Sequence, residues 1–373
     1  MARSRQGRKY VSGFLMFCLV IMLAILAVVI GGFVSYRYVK NAQDNVRGAL
    51  SSGEDARRIV IPPEKRMYFD VPRGASTNAI AVALEEAGFI KYPQIFKIMS
   101  KVNGYDGLYQ SGTHIVSIEL GYEELMMILV QKPELVKAMI PEGLTSPQVY
   151  EVLIKSGLTN ANEIRTRIST MEFDYNFLKN LPRRSDLLEG YLFPDTYEFD
   201  LNAKPADIIG VMLKNFSNKV PEEYYDRAEE LGMTMDEIIT LASIIEREAK
   251  NEDDRFIVSG VFHNRLNGED ESLKRLQSCA TIQYLFYKRN GIMLRRISDN
   301  DTKVADPYNT YMNPGLPPGP ICNPGLSAIK AALYPAETEY FFFVAKGDGT
   351  HQFSETYEEH LEAIQEYGLN LMP

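Results

Sequence analysis

The sequence predicts an α+β protein with a membrane-spanning helix at its N-terminus. Three observations predict it. Residues 13–34, "GFLMFCLVIMLAILAVVIGGFV", sit in an uncharged stretch from Tyr10 through Tyr36. Between residues 66 and 135, strand-like alternation and helix-like periodicity take turns over short segments. Beyond residue 146 the apolar spacing is mostly helical, and alternation returns only near the C-terminus.

The elements follow in order. At ~1.5 Å per residue, the uncharged run is long enough to cross a hydrocarbon core of ~30 Å. It is too long for a cleavable leader and apolar all round, unlike an amphipathic core helix. Arg3, Arg5, Arg8 and Lys9 precede it, and no acid comes before Asp44. Positive residues stay on the cytoplasmic side. The expected division is therefore a cytoplasmic tail at 1–12, a single span at 13–35, and an extracytoplasmic remainder. Residues 36–65 are polar and read as a linker or short frayed helix.

Next comes a small module over 66–135. "MYFDVPRG" (67–74) reads as a strand running into a turn, and "STNAIAVALEEAGF" (76–89) as a capped helix. "PQIFKIMSKVNG" (93–104) repeats the helical logic, "SGTHIVSI" (111–118) alternates, and "GYEELMMILVQ" (121–131) is helical again. Residues 136–373 form the larger, mostly helical part. It opens through "KAMIPEGLTSPQVYEVLIKSG" (137–157), and helices are expected near 146–157, 204–218, 221–232, 234–250 and 256–267. "YFFFVAKGDGTHQFSET" (340–356) reads as a hairpin turning through Gly347-Asp348-Gly349, followed by a helix at 355–367.

Composition narrows the function. The net charge is −9, so nothing suggests a nucleic-acid binder. No CxxC or HExxH spacing occurs, and His114, His263, His351 and His360 are scattered, so neither a metal nor a cofactor is expected. Cys18 lies in the apolar run, leaving Cys279 and Cys322 with one possible pairing.

The chemistry concentrates in "TLASIIEREAK" (240–250), where an apolar helix acquires Glu246 and Glu248. On a helical wheel, Ile238, Leu241, Ala242, Ile245 and Ala249 form one arc, with Ser243 and Arg247 opposite. Glu246 falls on one shoulder and Glu248 on the other, about 160° apart at ~100° per residue. They cannot flank one bond as an acid–base pair. A carboxyl held against apolar neighbours resists ionisation, and a protonated carboxyl near neutral pH is what a general acid needs. Read alone, both glutamates could equally be solvated shoulder charges. Three further stretches offer hydrogen bonds and aromatic faces, and read either as walls that bind a sugar or as rigid packed connectors. These are "LQSCATIQYLF" (276–286), the proline-stiffened "DPYNTYMNPGLPPGPICNPG" (306–325) and "EGYLFPDTYEF" (189–199).

These residues, with "VFHNRL", "ALYPAETEYFFFVA", "GTHQFS" and "IPEGLT", resemble in order the YceG-like family of endolytic murein transglycosylases, over roughly residues 66–373. The resemblance implies a lytic transglycosylase that cleaves the β-1,4 bond between N-acetylmuramic acid and N-acetylglucosamine within peptidoglycan glycan strands, leaving 1,6-anhydro ends. It implies Glu246 as the catalytic acid and Glu248 in support. Tyr191, Gln277, Ser278, Tyr308, Asn309, Thr310 and Tyr311 are the candidate substrate contacts. It further implies a LysM-like module at 66–135, and partners among peptidoglycan synthases and the elongation or division machinery. Some relatives have Asp-Pro where this chain has Cys279-Ala280, so an acidic helper is absent there. Two alternatives stay open. A hydrolytic muramidase would need a second carboxylate from Asp195, Glu189 or Asp306. A non-catalytic peptidoglycan-binding scaffold would need neither glutamate.

Overall fold

The structure is a computed structural model that describes residues 3–52, 59–159, 163–164, 173–179, 181–182, 184 and 186–367. Helix α1 runs Arg3–Ser52, and Met16–Gly48 within it is apolar enough to cross a membrane. The helix does not stop where the apolar run does. It continues through the polar residues 41–52, read above as linker, because no proline interrupts them and Ala42, Gln43, Arg47 and Ala49 are tolerant helix formers.

The chain divides into two compact units. One comprises 1–135 with 200–202; the other comprises 136–199 and 203–373. In the first, β1 (Met67–Val71) pairs antiparallel with β2 (Gly112–Val116), Phe69 opposite His114. Between them lie α2 (Thr77–Glu86) and α3 (Pro93–Val102), and α4 (Tyr122–Leu129) follows. Ser76 caps α2 by accepting from the Ala79 N–H, and Pro93 opens α3 where a missing donor costs nothing. Phe69, Val71, Ile80, Leu84, Phe96, Val116, Leu125 and Leu129 make its core.

Strand β3 (Leu135–Met139), all but its first residue in the second unit, pairs with β4 (Thr196–Asp200), all but its last residue there. The helices are α5 (Ser146–Lys155), α6 (Pro205–Lys219), α7 (Glu222–Glu230), α8 (Met235–Glu248), α9 (Glu252–Asn267), α10 (Cys279–Asn290) and α11 (Leu326–Leu333). The hairpin β5 (Phe342–Ala345) and β6 (His351–Ser354) is antiparallel, and α12 (Tyr357–Glu366) follows it. The α10 and α11 helices and strand β4 add to the expected list.

Helix α8 is the centre of this unit, packing on α7, α9, α10 and α11. Residues 238 through 245 are all buried, so the amphipathic wheel describes only its last turn. Ser243, expected on the outer face, is covered by the proline-stiffened loop. The Ile321 N–H donates to its hydroxyl at 2.9 Å, and the Cys322 thiol donates to its carbonyl at 3.3 Å. Cys279 instead meets the Tyr311 hydroxyl at 3.1 Å, and both cysteines are free thiols.

Candidate active site

The glutamate pair is positioned by how α8 starts and stops. Thr234 caps its beginning, accepting from the Glu237 N–H while the Glu237 carboxylate accepts from the Thr234 N–H. At its end Ala249 is extended, and the Arg255 Nε donates to the Ala249 carbonyl at 3.1 Å. Asn251 then caps α9. Both glutamates therefore sit in the last turn of α8, where the helix carries partial negative charge and a carboxylate needs compensating donors.

The two find different compensation. The Glu246 side chain is 6% exposed. Its Oε1 accepts from Arg255 Nη2 at 2.9 Å, and its Oε2 accepts from the Gly325 N–H at 3.0 Å, just before α11. Burial raises the Glu246 pKa above the ordinary glutamate value. Arg255 and the Gly325 N–H oppose that rise, Glu142 adds to it, and Arg247 opposes it slightly. Glu248 accepts from the Ser278 hydroxyl and the Ala280 N–H, at the start of α10. Burial raises its pKa too, against those neutral donors.

A buried network holds the backbone on the Glu246 side. The Asn323 side-chain carbonyl accepts from the N–H groups of Gly190 at 3.0 Å and Leu192 at 2.9 Å. The Asn323 main chain accepts from the Gly143 N–H and donates to the Leu144 carbonyl. Glu189 completes the network, accepting from the Ser146 N–H at 2.9 Å and from the Tyr284 hydroxyl at 3.3 Å. Burial, with the nearby Asp186 charge adding to it, pushes its carboxyl up to about 8. Gly143 takes φ 77°, which only glycine adopts freely, and turns the "IPEGLT" segment over Glu246. A Cβ at Gly325 would lie 1.9 Å from the Glu142 carboxylate, so a larger residue there would displace that side chain.

The candidate substrate contacts separate into groups. Ser278 and Thr310 gather on the Glu248 side: the Thr310 hydroxyl accepts from the Ser278 N–H at 3.0 Å and meets the Thr281 hydroxyl at 2.9 Å. Gln277 is exposed there and takes φ 51°, a conformation rare outside glycine. Tyr311 is half-buried beside Cys279. Asn309 is fully buried and donates to the Thr302 and Val304 carbonyls, so its amide is engaged within the loop. Tyr308 is buried against Tyr284, their ring centroids 5.1 Å apart. Tyr191 is not brought to the glutamates. Its hydroxyl donates to Asp236 at 2.6 Å, ten residues before Glu246 and so ~15 Å away along α8. A hollow of about 410 Å³ lined by Asp236, Thr240, His263 and Pro317 lies toward that same far end.

The possible second carboxylates also have partners of their own. Asp306 pairs with Arg289 at 2.7 Å, Asp195 accepts from Asn215 at 3.0 Å, and Glu189 is locked in its network. His263 contacts the Ala332 carbonyl and His351 pairs with Asp254 at 2.8 Å, both in structural roles. In the other unit His114 meets the Gln110 carbonyl.

The YceG-like family profile matches residues 69–366. This chain belongs to the YceG-like family. A Bacillus subtilis protein named endolytic murein transglycosylase is 30% identical over 336 residues, covering 86% of this chain and 91% of its own. A Streptococcus pneumoniae protein of the same name is 29% identical, over 96% of this chain and 65% of its own length. A crystal structure of a putative YceG-like protein from Listeria monocytogenes superposes with a TM-score of 0.51 at 30% identity, covering 80% of this chain and 99% of that one.

For this YceG-like chain, sequence reasoning missed Arg255, Glu142, Gly325 and Asn323. Arg255 was a lone cation in the acidic "NEDDRF" connector, Glu142 sat inside "IPEGLT", and the other two were in "ICNPG".

Proposed function

We propose that this chain is a membrane-anchored lytic transglycosylase, cleaving the muramic-acid-to-glucosamine bond inside peptidoglycan strands, with Glu246 as acid and then base. The observation that carries the reading is the setting of Glu246: a buried carboxyl with a raised pKa, oriented by one guanidinium and one backbone N–H. Its protonated form donates to the glycosidic oxygen as the bond from the muramic C1 breaks. The C6 hydroxyl of the same sugar attacks C1, and its proton passes to the Glu246 carboxylate. One C–O bond breaks, one forms and no water is consumed. The nucleophile is intramolecular, so its approach is largely preset. Arg255 and the Gly325 N–H stabilise the carboxylate formed midway.

Glu248 then serves as a structural support, fixing the start of α10 beside the site. Gln277 and Tyr311, the candidates with open faces, are the substrate contacts we favour. Residues 66–135 act as a LysM-like module touching peptidoglycan. The basic N-terminus faces the cytoplasm, so the chain beyond the membrane-spanning helix works outside the membrane, near the synthases that extend glycan strands.

Mass spectrometry of products from purified glycan strands tests the reading. Anhydro-muramic ends that vanish in Glu246→Gln are expected. Reducing muramic ends from the wild type would mean a muramidase, and unchanged cleavage by Glu246→Gln would remove Glu246 from the chemistry.

A further inference from the structure

Arg255 has three engagements. Its Nε is tied to the Ala249 carbonyl at 3.1 Å, which fixes the side chain to the end of α8. Its Nη2 reaches Glu246 at 2.9 Å, and its Nη1 faces a Glu142 oxygen at 3.9 Å. The two carboxylates differ in setting: the Glu142 side chain is 49% exposed, against 6% for Glu246. Both converge on Gly325. One accepts from its N–H, and the other occupies the space a Cβ would fill.

We propose that Glu142 is a positioning residue for the cleavage reaction, sharing the Arg255 guanidinium with Glu246 and so setting how firmly that cation holds the catalytic carboxyl. The inference rests on the reading of Glu246 given above. The reaction makes opposed demands on that residue. It begins neutral, holding the proton it will donate, and a guanidinium at hydrogen-bond distance works against this. Midway it is a carboxylate, and the same cation then helps. A second carboxylate beside the cation reconciles the two. At 3.9 Å the Glu142 contact is an ion pair rather than a hydrogen bond, and a shift of about 1 Å in the guanidinium would close it. Arg255 can therefore lean toward Glu142 while Glu246 is protonated and return once Glu246 is charged.

The groups facing Glu246 are Arg255 from α9, Glu142 from the turn before α5, Arg247 from its own helix, and Cys322 and the Gly325 N–H from the loop before α11. Glu142 is the carboxylate among them, and its charge acts to keep the Glu246 proton on. Its partial exposure means the side chain can be exchanged with little loss of packing.

The test uses the purified full chain in detergent and intact glycan strands. Formation of anhydro ends is followed as kcat/KM against pH for the wild type, Glu142→Gln, Glu142→Asp and Glu246→Gln. Removing the Glu142 charge moves the alkaline fall of the profile to lower pH. The ratio of rates at pH 7.5 and pH 5 then drops about 3- to 10-fold, the effect of half to one pKa unit. Glu142→Asp, which keeps the charge, restores most of that ratio. A Glu142→Gln profile with the wild-type shape, whether or not scaled down uniformly, overturns the proposal. That outcome differs from failure of the functional reading, in which the wild type yields no anhydro ends or Glu246→Gln still does.

Discussion

Glu246 and Glu248 share one helix turn, one chemistry and nearly the same burial, yet they lie in different surroundings. Glu246 looks toward a guanidinium, a helix N-terminus and a half-exposed third carboxylate. Glu248 looks into the protein, toward a serine hydroxyl and the backbone of α10. Glu189 extends the second case: fully buried, held by neutral donors, and pushed up to about 8. Burial is the largest cause raising the carboxyl's pKa at all three positions, with Glu142 adding to it at Glu246 and Asp186 at Glu189. A guanidinium at hydrogen-bond distance, shared with a half-exposed carboxylate, sets Glu246 apart.

Substitutions can break this contrast, and the largest effect is expected at Glu246. Glu246→Gln should cost about 100- to 10,000-fold in kcat, the usual worth of a general acid, and about 1–3 kcal/mol of stability, because its new N–H₂ group confronts the Arg255 guanidinium or the Gly325 N–H. Equal losses from Glu246→Gln and Glu248→Gln would erase the distinction between the shoulders. Asn323→Ala comes next. It strands the buried N–H groups of Gly190 and Leu192 and should destabilise the second unit by about 2–4 kcal/mol in chemical denaturation. A loss below 1 kcal/mol would show that the network does not hold the site.

Glu189 gives a third, pH-dependent effect. Its folded-state pKa is raised from 4.5 to about 8, so its stabilising contribution is complete below about 4.5 and is lost as pH rises through about 8. Wild-type stability should decline across that window, by at most about 5 kcal/mol at ~1.36 kcal/mol per pKa unit. Glu189→Gln should flatten the decline, and a slope that persists in the variant would assign it to other groups. Glu248→Gln is the smallest. Its new N–H₂ group confronts the Ser278 hydroxyl or the Ala280 N–H, costing about 1–2 kcal/mol of stability and no more than about tenfold in activity.

The sequence carried the periodic parts of the structure well. The expected strand at 111–118 is β2 at Gly112–Val116, and the expected helix at 234–250 is α8 at Met235–Glu248, because apolar spacing and capping residues are local signals. The opposite shoulders of Glu246 and Glu248 were legible for the same reason. Their partners were not. Gly325 lies 79 residues from Glu246 in the chain, and nothing local in "ICNPG" marks a carboxylate-binding N–H. Arg255 is only nine residues away but belongs to the next helix, so its aim depends on the turn between them. The polar loop residues were legible as hydrogen-bonding groups but not in direction. Asn309 and Tyr191 point inward to partners of their own, an outcome that loop composition does not distinguish from facing a sugar.

The central claim is that the reaction starts from a neutral Glu246. The pH dependence of kcat/KM for anhydro-end formation by the wild-type full chain measures it most directly. We expect activity to hold through the range where an ordinary glutamate ionises and to fall on the alkaline side with a single ionisation. A rate that instead rises through the ordinary carboxylate range, with no alkaline fall, would require an ionised Glu246 at the outset and contradict the account.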